Sequence, residues 1–400
     1  MLFAIYPEVS FTKHFFVFDS GSVYISKTKP SIDLVFGWKE LETISKLFLV
    51  DLPQWPPENY LKAFRGLLKR TSIRSVPWTK CLTTDCFINS IKSFVVDLGN
   101  TLQSLNLGYL EIYKQSNLVL ESLKPAKVSV ENYRNNRDES STSSFCPDLD
   151  DFADPVVYDR LDSVTGRLRV VVGPNILVLK KELRPKLLRS RFGDNGTIFE
   201  IDYKSIEPRV LLALSNPEQE MPVDIYQFIF DSFFSNSDLT RDNIKDIVIS
   251  KTYGSGLDSI SSRYKHIKNI ELVIQAIDDF FLLTKFKNKL VLEHDKNERK
   301  FITNYYGRRI ATSSAEPYMF PNYFTQSTAV DVALLGFSNM VNNIENKDLI
   351  VPIFVNHDAL FLDVHNSQYN RMPILCGYCS RGIPGFENVM FPVKCKNILG

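Results

Sequence analysis

Short apolar runs broken by turn residues alternate along this chain with stripes at helical spacing. Phe15-Phe16-Val17-Phe18 and Ser22-Val23-Tyr24-Ile25 flank Asp19-Ser20-Gly21, the pattern of a hairpin. Helical spacing follows from Lys39 to Leu49, and Pro53, Pro56 and Pro57 end that unit. Residues 60–125 read as helical. Ile88, Ile91, Val95, Leu98, Leu102 and Leu105 recur at steps of three and four, Asn106 to Gly108 breaks the pattern, and Tyr109 to Leu123 runs on to Pro125. So short a link predicts two antiparallel helices. Residues 132–150 are polar, serine-rich and nearly free of aliphatic side chains, which predicts a flexible loop or linker. No internal repeat is apparent.

Two later runs read as buried strands that each lead to an acid. Thr197-Ile198-Phe199-Glu200-Ile201 precedes Asp202, and Ile350-Val351-Pro352-Ile353-Phe354-Val355 precedes Asn356-His357-Asp358. A carboxylate at the end of a buried strand sits over a desolvated floor, where a divalent cation is held strongly. If the two strands lie side by side the acids meet, as two-metal phosphoryl transfer requires.

Bulk properties narrow this only slightly. At 400 residues the chain has room for two or three domains, and 44% hydrophobic with 23% charged residues is the composition of an ordered globular protein. The net charge of +1 gives no global sign of a nucleic-acid partner, so any such footprint must be local. Met1 to Val9 lack the pattern of a signal peptide, and no apolar run has the length of a membrane span. Six cysteines suggest free thiols in a reducing, intracellular compartment; Cys376-Gly377-Tyr378-Cys379 has no second pair or histidines to complete a zinc site.

Local charge is more informative. Arg241, Lys245, Ile249 and Tyr253 fall four apart on a helix expected between Thr240 and Gly254. Cations at its amino-terminal end would cradle a triphosphate and the aromatic at its far end would stack on a base, although the spacing equally suits a solvated basic face. Lys180, Lys181, Arg184, Lys186, Arg189 and Arg191 place six cations in twelve residues against one acid, Glu182, either a phosphate-binding footprint or a solvated charged face. Phe324 to Asp331 opens a long apolar helix that runs to Met340, with small residues near its start, and Asp331 alone reads as a surface or structural acid rather than a metal ligand.

Taken in order, these segments resemble the family A DNA polymerases of the bacterial polymerase I type, from Tyr158 to about Asp363. TGRL at 165–168 resembles that family's strand-start motif, DYKSIEPR at 202–209 its motif A, the Arg241-to-Gly254 helix its motif B, QSTAVD at 326–331 a further family segment, and NHD at 356–358 its motif C. The resemblance implies an α+β right-hand architecture with an antiparallel-sheet palm, helical fingers and a helical thumb. It sets the palm at 155–215 and 316–400, the fingers at 216–315, the thumb at 61–131 and a linker at 132–154, after a small N-terminal α/β segment, 1–60.

The resemblance also implies roles. Asp202 and Asp358, with the Tyr203 backbone carbonyl, would hold two Mg²⁺ ions. Glu207 would be a steric gate against ribonucleotides. Arg241 and Lys245 would bind the triphosphate, with Ile249, Tyr253 and Tyr226 lining the nucleotide site. Thr165, Arg167, Arg209, Gln326, His357, Lys180, Lys181 and Arg189 would face DNA; Arg167 and Gln326 would do so in the minor groove, where every base pair offers acceptors. The chain departs from the family at Ile249, where an aromatic is usual, at Tyr226 in place of a histidine, at Ala359 in place of an acid, and at Tyr318. The implied activity is template-directed addition of dNMPs to a primer, with primed DNA and dNTPs as partners. No membrane partner is expected; a separate exonuclease or processivity subunit is consistent with the layout. No proofreading exonuclease is expected in this chain, because Val17-Phe18-Asp19-Ser20-Gly21 lacks the glutamate of an Asp-x-Glu strand. A single-subunit RNA polymerase-like enzyme and a non-catalytic DNA-binding subunit are the alternatives. A phage or bacterial source would place the chain in bacterial cytoplasm.

Overall fold

The structure is a computed structural model that describes residues 1–7, 14–32, 34–70, 83–235, 239–265, 267 and 270–399. Residues 8 and 9 of the N-terminal stretch and 71–82 of the expected helical segment, Cys81 included, lie outside them. The chain divides into two compact units, Met1–Leu110 and Glu111–Gly400.

The first unit is built on a four-stranded sheet. Strands β1 (Leu2–Ile5), β2 (Phe15–Asp19), β3 (Ser22–Ser26) and β4 (Val35–Phe36) lie in the order β3-β2-β1-β4, with β1 antiparallel to β2 and parallel to β4. The expected hairpin is present, with Asp19 opposite Ser22 across a turn whose Ser20 and Gly21 both have positive φ, as tight two-residue hairpin turns require. Helices α1 (Trp38–Phe48), α2 (Glu58–Arg70) and α3 (Thr84–Gln103) follow.

The apolar stripe of α3 faces this sheet. Ile91, Val95, Leu98 and Leu102 are buried as expected, and Phe87 rather than Ile88 fills the first position. Gly99 lies so close over β2 that a Cβ there would stand 2.5 Å from the Phe18 ring. The expected division after residue 60 therefore falls inside one packed unit: α3 completes the core of the N-terminal sheet, a long-range pairing that helical periodicity does not encode. Helix α4 (Tyr109–Glu121) starts where the break at Asn106 to Gly108 predicts, and the boundary between units falls in its first turn.

The second unit holds β5 (Lys127–Val128), α5 (Val130–Asn136), β6 (Val157–Asp159), β7 (Arg169–Val172), α6 (Arg184–Leu187), β8 (Leu188–Arg189), β9 (Gly196–Tyr203) and α7 (Ile206–Ser215). Then come α8 (Ile225–Ile229), α9 (Arg241–Thr252), α10 (Leu257–Arg263), α11 (Ile270–Phe281), α12 (Leu283–Lys296), β10 (Phe301–Thr303), β11 (Arg309–Ala311) and α13 (Phe320–Asn342). The chain ends with β12 (Ile350–Asn356), β13 (Ala359–His365), α14 (Met372–Ser380) and β14 (Val393–Asn397). The stretch expected as a linker includes α5 and a short 3₁₀ turn, Ser143–Phe145, whose Phe145 is fully buried. One aromatic anchors a segment that composition alone reads as loop.

The central sheet has the order β12-β13-β9-β14, with every neighbour antiparallel. Both of its faces are covered. Ile201, Tyr203, Leu360 and Leu362 pack against α13 and α14 on one face, while Ile198, Phe354 and Phe361 meet Phe145, Leu179 and Leu187 on the other. Double burial explains why these strands read as nearly continuous apolar runs. A separate core of Ile244, Ile247, Val248, Ile277, Phe281 and Phe286 joins α9, α11 and α12.

Asp331 is structural. It is fully buried, pairs with the buried Arg160, and accepts from Asn304 Nδ2 at 2.8 Å. Arg160 also donates to Ser116 Oγ on α4 at 2.8 Å, which ties α4, β6 and α13 together. No helix among the described residues is long and apolar enough to cross a membrane. Breaking this pair by Asp331→Ala would strand a buried guanidinium, so urea unfolding should show a loss of about 3–5 kcal/mol; a loss within about 1 kcal/mol would contradict the assignment.

Candidate active site

Register places the two acids. Asp202, on β9, lies opposite Ala359 on β13, so Asp358 reaches it from the two-residue turn between β12 and β13. The two strands first read from the sequence are not neighbours, because β13 separates β12 from β9. The acids meet because the chain doubles back at His357, whose φ of 57° makes the tight reversal. The Tyr203 amide donates to the Asp358 carbonyl at 3.1 Å and fixes the turn against the strand.

Tyr203 points to the opposite face and is the anchor of this strand end. Its buried hydroxyl donates to the Cys379 carbonyl on α14 at 2.7 Å, and its ring packs 5.2 Å from that of Phe337. The hydroxyl fits because residue 336 is glycine; a Cβ there would collide with it.

Around the acids opens a cleft of about 820 Å³. Its wall includes Arg167, Glu207, Arg209, Tyr226, Arg241, Lys245, Ile249, Tyr253 and His357, so most of the residues singled out in the sequence converge here. Helix α9 is capped by Thr240, whose Oγ1 accepts from the Asn243 amide while Asn243 Oδ1 accepts from the Thr240 amide. It buries Ile244, Ile247 and Val248, which turns Arg241, Lys245 and Ile249 to the cleft. Gly254 ends it with φ of +84°, under the ring and backbone of Tyr318.

The arginines of the cleft are already engaged. Arg241 donates through Nε and Nη2 to Asp224 Oδ2 at 3.0 and 2.8 Å, and its guanidinium lies 5.5 Å from the centre of the Tyr226 ring. Asp224 also caps α8 through the Tyr226 and Gln227 amides. Arg167 donates to Glu207 Oε1 at 2.9 Å, and Tyr253 donates to Glu207 Oε2 at 3.0 Å. With its amide turned to satisfy both ends, Gln326 accepts from Arg167 Nη2 at 2.8 Å and donates to Thr165 Oγ1 at 2.5 Å. Thr165, Arg167, Glu207, Tyr253 and Gln326 thus form one connected cluster.

Three residues expected at DNA have protein partners in the structure. Arg209 is only 2% exposed and donates to the carbonyls of Lys204 and Val223, so it braces the loop. Arg189 donates to the Pro185 and Leu188 carbonyls. Lys180 is exposed but pairs with Glu139 at 2.9 Å. The basic run loses two more cations to acids remote in sequence, Arg184 to Glu200 at 2.8 Å and Arg191 to Asp363 at 3.1 Å. Of that run only Lys181 lines the cleft. Asp224, Lys204 and Lys394 line the cleft as well and were not singled out in the sequence. Asp224 offers only a helix-cap signal, and Lys394 none beyond strand alternation.

Burial, and after it crowding of like charge, sets the electrostatics. Burial, and then Asp202, push the Asp358 carboxyl up to about 6. Asp202 is open to the cleft, yet the walls exclude enough water to raise it too, with Glu200 adding to the effect and Lys181 and Lys394 opposing it. His357 is held below its usual value by partial burial and by Arg167. Among the described residues no group of three or more His, Cys, Asp or Glu side chains is gathered as for a metal. A carboxylate pair that resists ionisation is nonetheless a donor set suited to Mg²⁺, which takes one or two protein carboxylates and completes its shell with water and phosphate oxygens.

No protein-family model matches this chain, and no curated protein sequence matches it. Among solved structures, it is similar to the POL domain of Pol1 from M. smegmatis in complex with DNA primer-template and dNTP. The TM-score is 0.50 at 17% sequence identity. The match covers 64% of this chain and 48% of that chain, so the present chain spans about half the length of the structure it resembles. The likeness is one of fold: over that share of its length the chain is folded as a DNA polymerase domain is.

Asp358 gives a pH signature that does not depend on activity. Its folded pKa lies above the unfolded value, so its ionisation costs stability from about pH 4 upward, in full above about pH 6. In chelator at pH 7, Asp358→Asn should be the more stable protein in urea titrations, by at most about 3 kcal/mol, and the gap should close toward pH 4. A gap that stays constant with pH would show that the pair is not crowded.

Proposed function

We propose that this chain is a DNA-templated DNA polymerase that adds dNMPs to a primer 3′-hydroxyl. The observation that carries the reading is the convergence in one cleft of Asp202, Asp358, Glu207, Arg241, Lys245 and Tyr253. We assign the palm to the sheet β12-β13-β9-β14 with α13 and α14, and the fingers to α8 through α12. Within the second unit the expected thumb reduces to α4.

In this reading Asp202, Asp358 and the Tyr203 carbonyl would hold two Mg²⁺ ions, which would favour ionisation of the primer hydroxyl and neutralise charge on the departing pyrophosphate. The chain's own residues position the reactants. Arg241 and Lys245 take the triphosphate, with Arg241 exchanging its Asp224 partner for phosphate. The primer hydroxyl gives its proton to water, its oxygen bonds to the α-phosphorus as the bond from that phosphorus to the α,β-bridging oxygen breaks, and pyrophosphate leaves with the bridging oxygen. Tyr253 and Arg167 hold Glu207 from two sides, so its carboxylate forms a fixed wall beneath the sugar where a 2′-hydroxyl would have to fit. Arg167 and Gln326, linked through the latter's amide oxygen, present donors to the minor groove, and His357 faces the primer terminus. Ile249 offers the incoming sugar an aliphatic surface in place of a ring.

The proposal includes no proofreading step; that part of it rests on the sequence alone, where Asp19 at the end of β2 is followed by Ser20 and Gly21 rather than by the glutamate of an Asp-x-Glu strand.

Purified protein should extend a primed template with dNTPs and Mg²⁺. Asp202→Asn or Asp358→Asn should each reduce extension by about a thousandfold or more, the equivalent of losing several kcal/mol of transition-state stabilisation. Extension at the unaltered rate in either variant would refute the metal assignment. Glu207→Ala should raise ribonucleotide incorporation relative to dNTPs, and an unchanged sugar preference would place the gate elsewhere.

A further inference from the structure

The cations of the cleft fall into two kinds. Arg167, Arg209 and Arg241 are engaged by Glu207, by backbone carbonyls and by Asp224. Lys181, Lys204, Lys245 and Lys394 also line the cleft, and among the described residues none of their ammonium groups makes a hydrogen bond or ion pair. Lys245 belongs to α9 with Arg241. The other three belong to segments that meet near Asp202: Lys181 and Lys394 act on its charge, and Lys204 follows it by two residues and lines the same cleft.

Lys394 is the direct cross-strand partner of Asp202. The two side chains therefore leave the sheet on the same face, at the separation of cross-strand neighbours. β14 is an edge strand, so nothing in the sheet lies beyond Lys394. Lys204 follows two residues after Asp202 and is held by its amide, which donates to the Pro392 carbonyl at 2.8 Å at the start of β14. Lys181 enters from the segment before α6, which is fixed over the same face by the Arg184–Glu200 pair. Lys181 and Lys394 both lie near enough to act on the charge of Asp202, yet neither bridges to it. All three are exposed. Asp358 is the second carboxylate beside Asp202, and Glu200 is already paired with Arg184, so three unpaired ammonium groups outnumber the two acids by one and leave positive charge for a further anion.

Nucleotidyl transfer brings two polyanions together, and α9 provides for one of them. We propose that Lys181, Lys204 and Lys394 form a second anion subsite of the cleft, which holds the backbone phosphodiesters at the 3′ end of the primer strand beside Asp202. This rests on the polymerase reading. Lysine suits the task, since a compact ammonium on a flexible stem can follow a backbone that advances one nucleotide per cycle, whereas a guanidinium favours fixed bidentate geometry. Phosphate contacts of this kind position a strand without reading its sequence.

The test uses the full chain, a fluorescent primer-template and a salt series without dNTP. The triple variant Lys181→Gln, Lys204→Gln, Lys394→Gln should bind the duplex more weakly, with the slope of log affinity against log salt reduced by about one per lysine. Its KM for primer-template should rise at least about tenfold in moderate salt, while its KM for dNTP stays within about twofold. Neutral methylphosphonates at the last two primer linkages should weaken the unsubstituted protein but not the triple variant, and Lys394→Arg should retain part of the binding. Far-ultraviolet circular dichroism verifies the fold of each variant. An unchanged salt slope overturns the subsite; so does a rise in KM for dNTP alone, which would assign the lysines to the triphosphate or pyrophosphate. Loss of the slope in a protein that binds but never extends DNA would sustain the subsite and sink the polymerase reading. Extension by the unsubstituted protein with an unaltered slope in the variant would do the reverse.

Discussion

The antiparallel register of β9 against β13 is the constraint on which the site depends. It sets Asp202 opposite Ala359 and so brings Asp358 to it from the adjoining turn. A sheet buried on both faces enforces this register, because a slip of one residue would turn Asp202 into the core and Ile201 out of it. Tyr203 adds a second lock through its bond to the Cys379 carbonyl beside Gly336. The carboxylates are thus held together by apolar packing that does not itself favour their ionisation. The cost appears in the raised pKa values of both acids, and it is a cost that a divalent cation, as proposed, would relieve.

The second element of the site is built from ion pairs rather than packing. Arg241 and Asp224 are 38% and 41% exposed, and a pair so open is worth about 0–1 kcal/mol. Little would be lost if the guanidinium turned to a ligand of higher charge, as proposed. Glu207 has partners on both sides and is more sheltered at 26%, which suits a group that must stay in place. Exposure therefore separates a cation that can release its partner from an anion that should keep its own.

The sequence revealed the elements that local rules govern. The hairpin at Ser20-Gly21, the capped helix α9 with its glycine stop and the strand leading to Asp202 each follow from turn chemistry, capping or apolar runs. It did not reveal pairings between distant segments. The stripe on α3 reads the same whatever it packs against, and only the close approach at Gly99 shows that it belongs to the N-terminal sheet. The basic run from Lys180 to Arg191 looked like a phosphate footprint because Glu139, Glu200 and Asp363, which pair with half of its cations, lie outside the window. Lys394 was invisible for the complementary reason, since its meaning comes wholly from the strand beside it.

That contrast bears on how charge in a cleft should be read. A buried or braced cation such as Arg184 or Arg209 has its energy settled by the fold: removing its partner strands a charge, and adding a ligand gains little because the guanidinium is buried and already held by a carboxylate or by carbonyls. A lysine that faces a carboxylate without bridging to it is different. Its ammonium remains largely hydrated, it loses rotamer freedom only when a ligand arrives, and the field it adds to the cleft is present beforehand. Counting cations along the chain gives both kinds equal weight. Only their partners, fixed by strand register and by acids far away in sequence, show which positive charge is spent on the fold and which remains for a substrate.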